Sequence, residues 1–276
     1  MKIVKNAGNI ELHETENFVL AQTLDCGQAF RWQELEEDLW QGVAFGKHLK
    51  IGAKDGVITL YDTTEEDFYE IWQNYFDLER DYPEILRTLS ANEVLKTAGE
   101  YAYGIRILRQ EPWEALCSFI ISQNNNIPRI KGIVERLCEN FGDKIADGVY
   151  SFPSAQKIAS LTLEDLAILR SGFRAKYILD AAKKVASGEI VLEELRNMPL
   201  DTARAELVKI YGVGEKVADC TLLFGLSHIN AFPKDVWIKR ATQKLFDGVL
   251  PECATDYAGI AQQYIFHYAR MTKLEI

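Results

Sequence analysis

The sequence has little of what a metal centre, a disulfide scaffold or a membrane span requires. Its five cysteines, Cys26, Cys117, Cys138, Cys220 and Cys253, are odd in number and widely scattered. None is paired at Cys-x-x-Cys spacing, which argues against a disulfide framework, a zinc site or an iron–sulfur cluster. The four histidines, His13, His48, His228 and His267, form no ligand pattern either. No apolar run approaches the ~18 residues of a membrane span, so no membrane partner is expected. The opening, MKIVKNAGNIELHETE, lacks the apolar stretch of a signal peptide, and a cytosolic protein is the expectation. Tandem repeats and low-complexity tracts are missing as well.

Positive charge is also in deficit, with a net charge of −10 over 276 residues. At first sight that opposes a nucleic-acid partner. The distribution of charge softens that objection. Residues 1–100 carry 9 Lys+Arg against 20 Asp+Glu, whereas residues 101–276 carry 22 against 21. The acidity is confined to the first part, and the remainder can hold local basic patches.

At 47% hydrophobic side chains the chain can bury a large core, in one or two domains. The first part reads as sheet. AFRWQEL, LWQGVAF, HLKIGAK and VITLYD alternate roughly, are rich in β-branched and aromatic residues, and are punctuated by glycine. Asp55-Gly56 between two of them predicts a hairpin, because both central residues of a type I′ turn need positive φ.

From about TEEDFYEIWQNYF onward the pattern is helical. WEALCSFIIS is apolar nearly all round and predicts a central buried helix. NNNIPRIKGIVERLCENFG offers asparagine caps, Pro128 in a first turn and Gly142 beyond the end. Thr162 with Asp165 makes a capping-box pattern before LAILR. RAKYILDAAKKVASG closes on Gly188, and Asp235 and Thr255 each stand where a cap belongs. The expected fold is α+β, with an antiparallel β-rich domain over residues 1–100 and an all-helical domain over 101–276.

One stretch calls for chemistry. In YGVGEKVADC, residues 211–220, a Gly-Val-Gly turn joins two helical patterns into a helix–hairpin–helix. Gly212 and Gly214 allow a tight turn and let another chain approach the bare amides. Amides at a helix amino terminus bind phosphate without a basic side chain, so an acidic protein can still hold DNA. By itself such a turn is more often an ordinary helical hairpin. Lys216 and Asp235 raise the sharper reading. A cation at a helix start is mildly disfavoured, which suits a lysine that works as a free amine nucleophile. A carboxylate nearby stabilises cationic character at a sugar carbon during bond cleavage. Asp235 is compatible with both capping and catalysis.

IYGVGEKVADC followed by NAFPKDVWIKRA resembles the helix–hairpin–helix DNA glycosylases, with their Gly/Pro-rich loop and aspartate. CGQAFRW, EPWEALCSFIISQNNNIPRIKGIVERLC and YAGIAQQYIF narrow the resemblance to 8-oxoguanine DNA glycosylases of the eukaryotic-like type, in the order that family has them. It extends over essentially the whole chain, and the first domain is then expected to be TBP-like. The iron–sulfur cysteines of the endonuclease III branch have no counterpart.

The resemblance implies roles residue by residue. Lys216 matches the lysine that attacks the sugar C1′, expels the damaged base and forms a Schiff base from which β-elimination follows. Asp235 matches the aspartate supporting the sugar cation. Cys220 and Phe266 match the residues that sandwich the flipped base, and Gln262 the one reading its pairing edge. Gly27 matches the residue whose carbonyl accepts from the N7 hydrogen of 8-oxoguanine. Guanine has a lone pair there instead, and a buried unmatched acceptor pair costs about 1–3 kcal/mol. Asn124, Arg129 and Arg174 match the groups that fill the gap and hold the unpaired cytosine. Phe173 stands at a wedge position where tyrosine is frequent, and Tyr211 where proline is usual. Trp237 is placed among the DNA contacts, where histidine is common near the target phosphate. The carbonyls of Val208, Ile210 and Val213 match those that bind a monovalent or calcium ion bridging to phosphate.

The resemblance thus implies a bifunctional enzyme, monomeric and needing no cofactor, acting on duplex DNA with 8-oxoguanine opposite cytosine. It would be nucleoid-associated in a bacterium or nuclear in a eukaryote. Outside the resemblance, the cysteine and phenylalanine read as core and the arginines as surface. A glycosylase for alkylated purines, which usually lacks the lysine, and a non-catalytic DNA-binding module remain the alternatives.

Overall fold

The computed structural model describes residues 1–273. Six strands form one antiparallel sheet: β1 (Lys2–Asn6), β2 (Asn9–His13), β3 (Trp32–Glu36), β4 (Leu39–Ala44), β5 (Lys47–Lys54) and β6 (Val57–Tyr61), in the order β1-β2-β6-β5-β4-β3. Asp55 and Gly56 join β5 to β6 with φ of 50° and 77°, the doubly left-handed turn their sequence predicts. In β2 and β6 every second residue is buried, and Ile10 pairs Leu60 while Leu12 pairs Ile58. That apolar face packs on Phe68, Trp72, Tyr75 and Phe76 from the helical segment just after the sheet. Strands β1 and β2 are additions to the sequence-predicted set, as is a small hairpin at Lys144–Ala146 and Val149–Tyr150.

Ten helices suffice to place the site: α1 (Leu20–Leu24), α2 (Tyr82–Leu89), α3 (Glu93–Tyr101), α4 (Pro112–Ser122), α5 (Ile127–Phe141), α6 (Arg174–Ala186), α7 (Leu200–Val208), α8 (Glu215–Leu226), α9 (Val236–Phe246) and α10 (Ala258–Met271). Helix α4 is buried along its length up to Ile121, as its all-round apolar sequence requires. Asn126 caps α5 by accepting from the Arg129 amide at 3.1 Å, with Pro128 in the first turn.

Two expected starts are corrected. Thr162 and Asp165 do exchange capping hydrogen bonds, but only a 3-10 segment, Asp165–Leu169, follows, because Arg170 turns left-handed at φ 53°. Thr255 does not cap α10. It lies in the 3-10 turn Glu252–Tyr257, where its hydroxyl donates to the Glu252 carbonyl at 2.8 Å, and Tyr257 holds the cap position.

Two apolar cores divide the chain. One gathers the sheet and the segment through Leu78, with Leu108. The other takes Cys26 and Phe30 together with residues from Tyr82 onward. Helices α2 and α3 therefore pack with the later helices, and the expected break at residues 100 and 101 falls inside the second core.

Candidate active site

Helix α8 runs antiparallel to α4. The Gln110 amide, just before α4, donates to the Phe224 carbonyl near the end of α8 at 2.8 Å. At the opposite ends Lys216 reaches Ser122, its Nζ donating to Oγ at 3.3 Å. Lys216 is half-buried in the first turn of α8, with Nζ 5.5 Å from the centre of the Phe119 ring. Gly214 holds the cap position with no side chain to satisfy the first amides. The helix start is thus an uncapped row of donors, the arrangement that accepts an anion.

The turn before it is tightly held. Gly212 has φ 80°, and a Cβ there would strike the Tyr177 ring at 2.4 Å. Asp180 of α6 accepts from the Tyr211 amide at 2.7 Å, and Lys184 donates to the Lys209 carbonyl at 2.9 Å. Arg204 on α7 pairs with Asp219 on α8 at 2.6 Å, and Asp219 is 7% exposed. Burial raises the Asp219 carboxyl, and Arg204 opposes that rise.

Cys220 lies one turn beyond Lys216 and is buried. Burial pushes its thiol up to about 11, while the Lys216 charge and hydrogen bond draw it down and Asp235 pushes it further up. The Cys220 sulfur therefore feels both Lys216 and Asp235. Such a thiol stays protonated at neutral pH and offers a soft apolar surface, with no thiolate chemistry. Asp235 caps α9, its Oδ1 accepting from the Ile238 amide at 2.7 Å. Two residues on, Trp237 meets Phe266 of α10 edge to face, with ring centres 5.3 Å apart. Gln262, one turn before Phe266, is 6% exposed and its Oε1 accepts from Gln263 at 2.8 Å.

Gly27 follows α1 with φ 83°, and a Cβ there would stand 3.7 Å from the Ile127 side chain of α5. Its loop is fixed by Gln28, fully buried, whose amide donates to the Thr23 and Arg106 carbonyls and accepts from the Leu108 amide at 2.9 Å. Arg270 at the end of α10 donates to the Asp25 carbonyl at 3.0 Å. Ser122 thus meets Lys216, Trp237 meets Phe266, and Arg270 ties the end of α10 to the loop that carries Gly27.

The groups expected to meet the opposite strand begin just after Ser122. Asn124 is exposed with φ 46°. Phe173 is 45% exposed and Arg129 exposed, and with Arg170, Ser171 and Lys176 they line a surface cavity of about 580 Å³. Arg174 departs from the surface reading, being 2% exposed and bound to the carbonyls of Gln123, Asn124 and Ser171. Val208 is exposed, whereas Ile210 and Val213 have buried side chains, and the Ile210 carbonyl accepts from the Val213 amide at 3.0 Å. Ser122, Phe119, Gln28 and Arg270 escaped the sequence reading, since each acts through a partner far away in the chain.

Residues 117–248, which contain the uncapped Gly-x-Gly-x-Lys hairpin, match the HhH-GPD superfamily base excision DNA repair proteins. Residues 10–116 match the 8-oxoguanine DNA glycosylase N-terminal domain, and the chain belongs to that family. An N-glycosylase/DNA lyase of Saccharomyces cerevisiae is 33% identical over 269 residues, 86% of this chain and 70% of the relative. The solved structure of MBOgg1 with a low-affinity DNA ligand is 40% identical with TM-score 0.92, covering 99% of each chain. The Clostridium acetobutylicum 8-oxoguanine glycosylase/lyase, solved with duplex DNA carrying cytosine opposite 8-oxoG, is 37% identical with TM-score 0.93, again covering 99% of each.

Proposed function

We propose that this protein excises 8-oxoguanine opposite cytosine in duplex DNA and then cleaves the strand as a lyase, with Lys216 as nucleophile. The carrying observation is the half-buried Lys216 amine beside Cys220 at the uncapped start of α8. In this reading the α8 amides hold a phosphate next to the lesion while the flipped base enters between Cys220 and Phe266. Gln262 meets its pairing edge, and the Gly27 carbonyl accepts its N7 hydrogen. As the glycosidic bond lengthens, Asp235 stabilises the cationic sugar carbon. The neutral Lys216 amine bonds to C1′ and the base departs, taking up a proton. Opening of the sugar leaves a Schiff base, and loss of a C2′ proton expels the 3′ phosphate.

Arg129 and Arg174 belong to the same reading as donors to cytosine, and Asn124 and Phe173 as gap filler and wedge. A monovalent or calcium ion on the carbonyls of Val208, Ile210 and Val213 would help hold the phosphate. The Ile210 oxygen, with one lone pair already used, still has a second to offer. No other cofactor is required. Action as a monomer on DNA places the protein at a bacterial nucleoid or in a eukaryotic nucleus. Among the described residues no helix is long and apolar enough to cross a membrane.

Borohydride reduction in the presence of an 8-oxoguanine duplex tests the reading. The expected product is a covalent protein–DNA adduct through Lys216, and Lys216→Gln should bind the duplex while losing excision and trapping. Undiminished excision by Lys216→Gln would overturn the nucleophile assignment.

A further inference from the structure

We infer that Ser122 is a positioning residue for the nucleophile: its hydroxyl oxygen holds the Lys216 amine in place. The inference rests on Lys216 being the attacking group. Ser122 is the last residue of α4, and its Oγ donates to the Phe119 carbonyl at 2.8 Å. The single hydroxyl hydrogen is thereby committed, so the oxygen meets Lys216 with its lone pairs and accepts at 3.3 Å. The Phe119 ring, one turn earlier, lies 5.5 Å from Nζ and gives a second restraint from the same helix, within the ~6 Å reach of a cation–π contact.

Without these contacts Lys216 would sample many rotamers on a long flexible stem, and attack requires one of them. On its own helix Lys216 finds only a weak sulfur acceptor in Cys220, while Asp219 is engaged by Arg204 and Glu215 is exposed. Asp235 is committed through Oδ1 to its own helix cap. Ser122 is itself steadied from behind, because Arg174 binds the carbonyls of Gln123 and Asn124 immediately after it.

The test compares Ser122→Ala and Ser122→Thr with the wild type in three measurements. These are single-turnover excision of 8-oxoguanine, the rate of borohydride trapping on a duplex with a preformed abasic site, and equilibrium affinity for that duplex. Ser122→Ala is expected to slow both reactions about tenfold, the scale of one lost hydrogen bond, while affinity changes less than roughly twofold. Ser122→Thr, which keeps the hydroxyl, should recover most of the rate. Wild-type rates in Ser122→Ala, a threonine variant as slow as the alanine one, or affinity falling in step with rate would each overturn the assignment. Lys216→Gln run alongside separates the two ideas. If it loses trapping while Ser122→Ala keeps it, only the serine assignment falls; if it still traps, the nucleophile reading falls as well.

Discussion

The guanidinium of Arg174 donates to the Asn124 carbonyl at 2.8 Å and to the Gln123 carbonyl at 2.9 Å. A third donor goes to the Ser171 carbonyl at 3.2 Å, and the Phe173 ring lies 4.4 Å from the guanidinium carbon. Burial lowers the proton affinity of Arg174, and the neighbouring positive charge of Arg129 adds to that effect. The two arginines therefore differ in the DNA-free protein. Arg174 clamps the turn that carries Asn124, while Arg129 stands exposed beside it.

Arg129→Ala is expected to narrow the preference for cytosine over adenine by slowing the cytosine reaction, by about 1–3 kcal/mol of lost base recognition. Its melting temperature should stay near wild type. Arg174→Ala should instead lower stability by roughly 1–3 kcal/mol, since it strands backbone acceptors, and slow excision opposite every base. Single-turnover rates opposite all four bases, with thermal melts of both variants, check this. Identical profiles for the two variants would show that the buried clamp is not a separate role.

The two hairpin glycines should also separate. Gly212 combines φ 80° with a Cβ position 2.4 Å from the Tyr177 ring, so Gly212→Ala is expected to destabilise the fold by at least about 1 kcal/mol. Gly214 has φ −101° and open space around its Cβ position. Gly214→Ala should fold normally yet bind DNA more weakly, because the added methyl stands where a phosphate would approach the amides. Circular-dichroism melts and duplex affinity at two salt concentrations decide the matter. A Gly214→Ala protein with wild-type affinity would count against phosphate binding at this helix start.

Local features were legible in the sequence, and distant ones were not. Asp55-Gly56 announces its turn, and Asn126 and Asp235 announce their helices, because each acts on backbone two or three residues away. Lys216 and Cys220 share a helix face by spacing alone. Strand β1 escaped notice because Lys2–Asn6 is a mostly exposed edge strand with little apolar alternation. Thr255 misled because a capping residue type also suits a 3-10 turn. Arg174 looked like a surface group, since composition does not reveal that its partners are carbonyls of another turn. Ser122 and Lys216 meet across 94 positions, a contact that only the antiparallel packing of α4 on α8 creates.

A pH dependence follows from Glu114 on α4, which pairs with Arg31 at 3.3 Å while both side chains are about one-tenth exposed. Burial pushes the Glu114 carboxyl up to about 7, with Arg31 opposing the rise. In the unfolded chain the same group titrates near 4.5. Between these values the folded protein binds a proton that the unfolded chain has released, so this group makes stability fall as pH rises from about 4.5 to 7. The loss is on the order of 1–3 kcal/mol and levels off above that window. Glu114→Gln should flatten this component, leaving a smaller change in urea midpoint between pH 5 and pH 8 than in wild type. An unchanged difference would assign the slope elsewhere.

Trp237 supports Phe266, and that contact gives the last expectation. The family commonly has histidine at this position near the target phosphate, whereas here the indole packs edge-on against Phe266 with ring centres 5.3 Å apart. An aromatic pair of this kind contributes about 0.5–1.5 kcal/mol beyond its buried area. If Phe266 covers one face of the flipped base, loosening it should weaken recognition of the base more than recognition of the backbone. Trp237→Ala is therefore expected to bind an 8-oxoguanine duplex roughly three- to tenfold more weakly, as that energy implies, with little change for a duplex bearing an abasic analogue. Trp237→Phe, which keeps a ring against Phe266, should fall between the alanine variant and wild type. Equal losses on both duplexes would assign Trp237 to the phosphate backbone instead, the role histidine has in the family.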